Sequence, residues 1–427
     1  MLALSLGPLP RVDPRSDDGN RIITPERELR AFGDPDQSPR NANIARSGDP
    51  DHALSCIQMK VWDAIVVGAG PAGCACAYDL ATAGKEVLLL DKAEFPRIKA
   101  CAGGLTMKTV RALRYSIAPV VRQNVDRMVL EERDSSRIPV RKRNSICVMT
   151  ERSELDAFCL SKTIEAGAVF RRARGISGID QNADGVAVTT EDEPVRGRFL
   201  IGADGVNSQV RRMTSDGDWF RTAFAIEANL PRDAQNEDLV FDFAPVMAGY
   251  GWVFPKRDHV NIGLFSFDKD ERLNRSRLSA YIAQRFGEGA QAEKFIGQHA
   301  GFGAAQHRVE SERVFLVGDA GGFVDLLTGE GIYGAVVSGQ AAAGAVLADL
   351  EKKATAKETF IRLTENLRKN LHIAERAAVS FYANPQRGFR AMKMPLLRSA
   401  ILKSYADGLD LVAIVQIARR LMPANNA

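Results

Sequence analysis

The chain has 427 residues, enough for two or three domains with a large hydrophobic core. Hydrophobic residues make up 45% and charged residues 26%, a composition that excludes a wholly disordered or fibrous protein. The net charge is only +4 and no dense basic stripe accompanies it, so no nucleic-acid partner is expected.

The first 58 residues lack hydrophobic periodicity, and seven of the 18 prolines fall there without a single lysine. Such a segment cannot bury enough apolar surface to offset the entropy lost on ordering. Two interpretations stay open: residues 1–58 are a disordered leader, or translation starts at Met59, directly before the first apolar run. No secretory signal is recognised, and the six cysteines form no CxxC pair, so we expect free thiols and a cytoplasmic location.

A strand–helix–strand unit follows. Residues 64–67 (AIVV) predict a buried parallel strand, and the glycine-rich GAGPAG of residues 68–73 comes directly after them. A helical stretch to Ala83 and a second apolar run ending in Asp91 complete the unit. The agreement of all four parts indicates a dinucleotide-binding βαβ unit.

Each residue type in this unit suits a dinucleotide. Gly68 permits the tight turn, Gly70 lets the backbone approach a pyrophosphate, and Gly73 lets helix and strand pack closely. The helix N-terminus attracts phosphate, and the carboxylate of Asp91 can accept hydrogen bonds from ribose hydroxyls.

Two later strands also end in acidic residues. The run FLIGADG contains Asp204, and the run RVFLVGDA contains Asp319. An aspartate at the carboxyl end of a parallel strand can accept hydrogen bonds from the ribityl chain of a flavin. The sequence GEGI at residues 329–332 then opens a small-residue helix through Leu350, whose N-terminus can stabilise negative charge on a reduced flavin. These features favour FAD over NAD, with Asp204 and Asp319 as candidate cofactor residues.

The motifs GxGxxG, GADG and GDA together resemble the p-hydroxybenzoate hydroxylase class of flavoproteins. Within that class, CAGGL at residues 101–105 and YGWVFPK at residues 250–256 resemble two motifs of the geranylgeranyl reductase family. The resemblance covers about residues 61–350 and departs at Ala102, where a glycine is usual, and at residues 263–265, where Gly-Leu-Phe replaces GxG. It implies FAD contacts from several separate segments: Ala72, Asp91, Cys101, Ala102, Gly104, Arg152, Asp319, Gly331 and Ile332.

Residues 237–265 alternate apolar and polar residues and predict antiparallel strands of a substrate-binding sheet. Tyr250, Trp252 and Phe254 share one face of it at period two, so they are candidate substrate residues forming an aromatic wall beside the flavin. The alternative is ordinary core packing. Lys256 has two interpretations, a phosphate partner or a solvated strand end.

No catalytic residue is assigned, but Cys101, Tyr250 and Trp252 are candidates. Cys101 has either a positional or a chemical role, and the positional role is favoured. The five histidines are dispersed, so no metal site is expected.

The C-terminal part bears on membrane contact. Residues 331–348 carry no charge, but their Gly and Ala content favours a helix buried against the cofactor over a membrane span. Residues 385–421 hold seven basic residues against two aspartates, interleaved with apolar residues. Two interpretations stay open: a peripheral contact with anionic lipid on the inner face of the membrane, or helices that cover the core.

The predicted fold is α/β, with a Rossmann-type FAD-binding domain, an inserted, mostly antiparallel substrate sheet, and C-terminal helices. The predicted domains are a leader (1–58), a discontinuous FAD-binding domain (59–212 and 305–350), a substrate domain (213–304) and a helical region (351–427).

The resemblance implies an FAD-dependent reductase that saturates geranylgeranyl-type double bonds of a prenyl lipid. No second GxGxxG follows a strand, so no dedicated NAD(P)H domain is expected. The electron donor is then NAD(P)H bound transiently, or a ferredoxin. The alternatives are a flavin monooxygenase or halogenase of the same fold, and an electron-transfer flavoprotein. The oligomeric state is left open.

Overall fold

The computed structural model describes residues 60–132 and 136–410, so the predicted leader lies outside the described residues. The strands are β1 Val61–Val67, β2 Val87–Asp91, β3 Gly104–Thr106, β4 Val121–Val125, β5 Arg127–Glu132, β6 Ser136–Arg141, β7 Cys147–Thr150, β8 Val169–Arg172, β9 Ile176–Gln181, β10 Val186–Thr190, β11 Pro194–Gly202, β12 Arg221–Pro231, β13 Leu239–Asp242, β14 Gly249–Pro255, β15 His259–Ser266, β16 Glu293–Phe302 and β17 Val314–Leu316. The helices are α1 Pro71–Thr82, α2 Met107–Ala112, α3 Arg152–Glu165, α4 Gln209–Thr214, α5 Arg275–Phe286, α6 Ile332–Leu350, α7 Ala356–Ala383, α8 Pro385–Met392 and α9 Pro395–Asp407, with short 3₁₀ helices at Ala118–Val120 and Gly318–Gly321.

The first sheet has the strand order β8-β2-β1-β11-β10-β9, and β17 pairs with the end of β11. The strands β8, β2, β1, β11 and β17 run parallel, so their carboxyl ends lie at one edge. Ala64, Ile65 and Val66 are fully buried, as expected for a strand covered on both faces. The predicted strand–helix–strand unit is confirmed, with β1 beginning three residues earlier than the apolar run indicated.

Helix α6 packs directly on α1, because both helices carry small residues where they meet. A Cβ atom on Gly339 would lie 2.2 Å from the carbonyl oxygen of Ala72, so only glycine permits this approach. Most of the Ala and Val side chains of α6 are buried. Within residues 60–132 and 136–410, no helix is long and apolar enough to cross a membrane.

The second sheet has the order β16-β12-β15-β14-β13-β5-β6, and its pairs are antiparallel except for β13 with β5. The predicted antiparallel strands of residues 237–265 are confirmed as β13, β14 and β15. The sheet is not confined to the predicted segment 213–304, because β5 and β6 precede Asp204 in the chain. Met128, Leu130 and Ile138 of these two strands join the same hydrophobic cluster as Tyr250, which explains why they extend this sheet.

The third sheet is small, with β7 between β3 and β4. Strand β3 begins at Gly104, directly after the cysteine–glycine motif, and pairs antiparallel with β7. The amide of Thr150 at the end of β7 donates to the carbonyl of Gly103 at 2.9 Å. Gly103 has a φ of 70°, and a Cβ there would lie 2.1 Å from the Thr150 carbonyl oxygen, so the motif is held tightly against the end of β7.

The C-terminal helices confirm the predicted helical ending of the fold and partly cover the core. Phe389 and Met392 of α8 and Ala406 of α9 are buried in the cluster that holds the aromatic residues of the second sheet. The apolar run that begins at Leu409 lies mostly outside the described residues. All five cysteines of the described part are free thiols: Cys74, Cys76, Cys101, Cys147 and Cys159.

Candidate functional site

The glycine-rich turn lies at the carboxyl edge of the first sheet, where β1 leads into α1. Gly68 has a φ of 105°, and its amide donates to the carbonyl of Leu90 at 2.6 Å. A Cβ on Gly73 would lie 1.8 Å from the Gly68 carbonyl oxygen, so this position accepts only glycine. Gly70 is the N-cap of α1 and offers no side-chain acceptor, which leaves the amides of the first turn free for an anion.

Asp91 ends β2 beside this turn. One carboxylate oxygen accepts from the amide of Ala69 at 2.7 Å, and the other accepts from the amide of Ala93 at 2.8 Å. Asp91 is half-buried, and each oxygen keeps a second lone pair. The carboxylate therefore both holds the turn and remains able to accept from a diol.

The far end of the site is built around Asp319 and the start of α6. Asp319 lies in the short 3₁₀ helix after β17, and Gly331 is the N-cap of α6 without a side-chain cap. A Cβ on Gly318 would lie 2.9 Å from the Cβ of Ala72, so Ala72 marks the close approach between the two ends of the site. Two uncapped helix N-termini thus face the same groove, an arrangement that suits an anionic dinucleotide.

Asp204, also predicted as a cofactor residue, makes hydrogen bonds within the chain. Its carboxylate accepts from the hydroxyl of Ser208 at 2.5 Å and from the amides of Gln209 and Val210 at 2.6 and 3.2 Å. These contacts satisfy the free amides at the start of α4. The acid of the GADG motif therefore stabilises a helix end, and it does not line the cavity described next.

One cavity of about 190 Å³ joins the first sheet to the second. From the flavin side it is lined by predicted cofactor residues: Cys101, Ala102, Gly104, Arg152, Asp319, Gly331 and Ile332. From the other side it is lined by aromatic residues: Phe241, Tyr250, Trp252, Phe254, Phe265 and Tyr405. Gly68, Gly70, Ala72, Gly73 and Asp91 lie outside its lining, at the β1–α1 turn. The fold therefore brings predicted cofactor residues and the predicted aromatic residues together around one space, where a Cβ on Gly104 would lie 3.0 Å from the ring of Phe254.

Arg152 is buried and forms a two-point ion pair with Asp156 at 2.9 and 2.8 Å. Burial acts to lower the pKa of Arg152, but the adjacent Asp156 carboxylate outweighs it and raises the pKa. Arg97 joins the same carboxylate at 3.1 Å, while its Nε atom is buried without a hydrogen-bond partner among the described residues. A Cβ on Gly70 would lie 3.5 Å from the Nη2 atom of Arg97, so this guanidinium lies beside the turn that suits a pyrophosphate. Arg97 belongs to none of the motifs that predict the site.

The aromatic wall is anchored by hydrogen bonds at its polar atoms. The Tyr250 hydroxyl donates to the carbonyl of Thr328 at 2.6 Å, and the Trp252 indole donates to Asn261 at 2.7 Å. A Cβ on Gly263 would lie 2.1 Å from the Trp252 ring, so the glycine on the neighbouring strand makes room for the indole. Tyr405 comes from α9, and only the tertiary structure places it here.

Cys101 is held beside a buried acid that the sequence analysis missed. Its amide donates to the carboxylate of Glu227 at 2.9 Å, and its sulfur accepts from the amide of Gly103 at 3.4 Å. Glu227 is 8% exposed. Burial raises the pKa of Glu227 to about 7, although the Cys101 amide and the charge of Lys256 act to lower it. A single acid within the apolar strand Ala-Phe-Ala-Ile-Glu-Ala was the signal that could have found it.

Lys256 is 1% exposed, so the interpretation as a solvated strand end is wrong. Its ammonium lies 2.9 Å from Glu151, whose carboxylate is also 3.1 Å from Nε2 of His259. Burial acts to raise the pKa of Glu151, but His259 and Lys256 bring it down to about 2. The adjacent Glu151 carboxylate raises the pKa of His259, although burial acts to lower it. Lys256 is therefore part of a buried ion cluster behind the aromatic wall.

Comparison with known proteins identifies related chains. A family model described as "FAD binding domain" matches residues 61–359. An uncharacterized protein of Methanosarcina barkeri is 31% identical over 83% of this chain and 92% of its own length. Digeranylgeranylglycerophospholipid reductase 1 of Methanopyrus kandleri is 29% identical over 69% of this chain and 82% of its own. Geranylgeranyl diphosphate reductase of Rhodobacter capsulatus is 30% identical over 68% of this chain and 76% of its own.

Two solved structures share the fold. A geranylgeranyl bacteriochlorophyll reductase-like protein from Thermoplasma acidophilum superposes with a TM-score of 0.70 and 21% identity over 85% of this chain and all of that one. The flavin-dependent brominase Bmp2 also reaches a TM-score of 0.70, at 18% identity over 85% of this chain and 99% of its own. Together with the match to the FAD-binding family and the reductase relatives, the fold and the cavity identify the chain as an FAD-dependent oxidoreductase that belongs to the geranylgeranyl reductase family.

Proposed function

We propose that the protein saturates isoprenoid double bonds of a geranylgeranyl-type prenyl lipid, using hydride from reduced FAD. The observation that carries this proposal is the single cavity whose one wall is lined by the residues expected to hold FAD and whose other wall is aromatic. An unactivated alkene offers no polar group to bind, so an apolar wall suits it.

The residues of the first sheet fit FAD. The Gly68–Gly70 turn and the free amides of α1 would hold the pyrophosphate with Arg97, and Asp91 would accept from the ribose. Asp319 and the N-terminus of α6 would hold the ribityl chain and the pyrimidine end of the flavin. When bound, FAD supplies the hydride for alkene reduction.

The residues of the second sheet would bind the chain and exclude water. Tyr250 and Trp252 are both buried, and their polar atoms are already occupied by Thr328 and Asn261. The wall therefore presents ring carbons rather than hydrogen-bonding groups to the cavity. A dry pocket suppresses reaction of the reduced cofactor with solvent species.

The test is anaerobic incubation of the reduced holoprotein with geranylgeranyl diphosphate and, separately, with a digeranylgeranyl glycerophospholipid in detergent. We expect a gain of two hydrogen atoms for each bond reduced, read by mass spectrometry. Oxygen uptake dependent on an aromatic substrate, with no saturated product, would instead identify a monooxygenase or halogenase. Oxidation of the reduced flavin by a quinone alone would identify an electron-transfer flavoprotein.

The electron donor belongs to the same proposal. We propose that NAD(P)H or a ferredoxin reduces the flavin in a transient encounter. Loss of the oxidised flavin band on anaerobic mixing with NADPH, NADH or reduced ferredoxin identifies the donor.

We further propose that helices α8 and α9 contact an anionic lipid surface. Leu396 on α9 is 88% exposed, and Met394 in the turn between the two helices is 60% exposed. The exposed cations Arg390, Lys393 and Lys403 lie on α8, in the same turn and on α9. Apolar side chains among basic ones suit the interface of an anionic bilayer. Flotation with phosphatidylglycerol vesicles at low and high salt tests this, and absence of co-migration at low salt would contradict it.

A further inference from the structure

Glu227 lies at the junction of the two walls of the cavity. It belongs to β12, where it pairs with Gly263 of β15 and Ile296 of β16. Its carboxyl group lines the cavity and accepts from the amide of Cys101, in the motif expected beside the flavin. Glu227 therefore presents an ionisable oxygen where the flavin-facing wall meets the aromatic wall.

The other acids that line the cavity are matched by cations or donors. Glu330 accepts from the Thr106 and Thr109 hydroxyls at 2.5 and 3.1 Å and pairs with Lys108 at 2.8 Å. Asp319 lies near the cation of Lys99. Burial lowers the pKa of Lys99, and the negative charge of Asp319 acts to raise it. Within residues 60–132 and 136–410, no ion pair is made by Glu227, so its carboxyl is the one best able to keep a proton at neutral pH.

The other donors of the aromatic wall are poor acids: burial raises the pKa of the Tyr405 hydroxyl well above its usual value, and Tyr250 and Trp252 are already engaged. The Tyr250 hydroxyl donates to Thr328, and burial raises its pKa far above its usual range. The Trp252 indole donates to Asn261. Neither group has a free acidic proton aimed at the cavity.

A cluster of charged groups acts on Glu227. The charges of Lys256 and Glu151 act on Glu227, and Lys256 is ion-paired to Glu151. His259 follows at 3.1 Å from Glu151, and its other ring nitrogen is 2.8 Å from Asp258, which is 74% exposed. The cluster therefore sets the charge around the buried acid, with Lys256 favouring and Glu151 opposing its ionised form.

We propose that Glu227 is the proton donor in alkene reduction, a role that rests on the proposed function above. One alkene carbon accepts hydride from the reduced FAD, and Glu227 gives its carboxyl proton to the other carbon. Two C–H bonds form as the π bond is consumed, the flavin is left oxidised, and the Glu227 carboxylate regains a proton from solvent after product leaves.

The experiment compares wild-type holoprotein with Glu227→Gln, Glu227→Asp and the control Asp242→Asn. Asp242 is a buried acid of the same sheet, on β13, that pairs with Arg285 at 3.3 Å and does not line the cavity. Each reduced protein is mixed anaerobically with geranylgeranyl diphosphate, and the single-turnover rate of product formation is measured against pH. The same titration is followed by infrared spectroscopy of the protonated carboxyl band in the holoprotein without substrate.

The expected rate loss for Glu227→Gln is at least ~100-fold with flavin still bound, whereas Glu227→Asp retains part of the rate and Asp242→Asn retains most of it. In the wild type, the rate and the carboxyl band both fall as pH rises through about 7, and Glu227→Gln lacks both changes. A pH dependence caused by any other group would persist in Glu227→Gln, so its loss assigns the change to Glu227. The other groups that face the acid or the cavity are Lys99, Cys101, Glu151, Arg152, Tyr250, Lys256, His299, Asp319, Glu330 and Tyr405.

Two results would refute the assignment of Glu227 as the proton donor and leave the proposed function intact. One is a Glu227→Gln rate within ~3-fold of the wild type, since a general acid contributes far more. The other is a carboxyl band that is absent at low pH or unchanged by the substitution. A wild-type protein that saturates no prenyl alkene would refute the proposed function as well as the donor role, so the wild-type product separates the two failures.

Discussion

The two walls of the cavity are built on opposite principles. The flavin-facing wall includes small residues and is supported, outside the cavity lining, by Gly68, Gly73 and Gly318, which leave no room for a Cβ atom. The aromatic wall is made of large side chains whose polar atoms are satisfied by Thr328 and Asn261. Added atoms should disrupt the first wall, because it binds through backbone amides that need close approach. Removed atoms should weaken the second wall, because it binds through apolar surface.

The largest effect should come from adding atoms to the flavin-facing wall. In Gly73→Val, a Cβ would lie 1.8 Å from the Gly68 carbonyl oxygen, and both atoms belong to rigid backbone. We expect loss of bound flavin and of the cooperative unfolding transition, measured by flavin absorbance and circular dichroism. Gly289→Ala is the control, because nothing lies within 4 Å of its added Cβ. A Gly73→Val protein with wild-type flavin content would refute this account of the turn.

Removing atoms from the aromatic wall should cost less. Trp252→Ala is expected to lower the free energy of unfolding by about 3–5 kcal/mol while flavin stays bound, because the cavity it leaves lies on the opposite wall. Denaturant unfolding, with flavin absorbance as the second signal, measures both. Trp252→Phe keeps most of the ring but leaves Asn261 without its indole donor, so an intermediate loss is expected. Loss of flavin in Trp252→Ala would show that the walls are not independent.

The junction between the walls should show a pH-dependent effect. The pKa of Glu227 is raised by burial from 4.5 to about 7, so the fold favours the neutral carboxyl. This stabilisation is fully present below the unfolded pKa and is lost as pH rises toward about 7. The Glu227→Gln protein lacks this loss, so its stability relative to the wild type should increase by about 3 kcal/mol between about pH 4 and about pH 8. Denaturant unfolding at both pH values measures this, and a pH-independent difference would contradict it.

The smallest effect is expected where a hydroxyl links the aromatic wall to the loop before α6. Tyr250→Phe removes only the hydrogen bond to the Thr328 carbonyl, at a cost of about 1 kcal/mol. Thermal unfolding measures the loss, and flavin content should not change. A loss as large as that of Trp252→Ala would mean that this bond holds the whole loop in place.

Local motifs predicted the flavin-facing wall well because its residues lie close together in sequence. The strand, glycine turn, helix and terminal acid occupy one unit, and the structure reproduces β1, α1 and β2 nearly as expected. Asp204 shows the limit of this approach, because the motif predicts an acid at a strand end but not whether it faces a ligand or caps α4.

Contacts between residues distant in sequence formed the second sheet and the aromatic side of the cavity. Strands β5 and β6 extend the second sheet from far earlier in the chain, and Tyr405 reaches the cavity from α9. Lys256 stands beside a visible motif, yet its burial and its partner Glu151 depend on a residue 105 positions away.

By itself, the sequence determined the α/β class, the dinucleotide turn, the aromatic face of the second sheet and the family, because glycine positions and period-two alternation are local constraints on the backbone. Only the tertiary structure decided that Glu227 is buried against Cys101 and that the two walls enclose one cavity. Burial and pairing depend on which distant residues meet, and these set the protonation of an acid, which a local pattern does not encode.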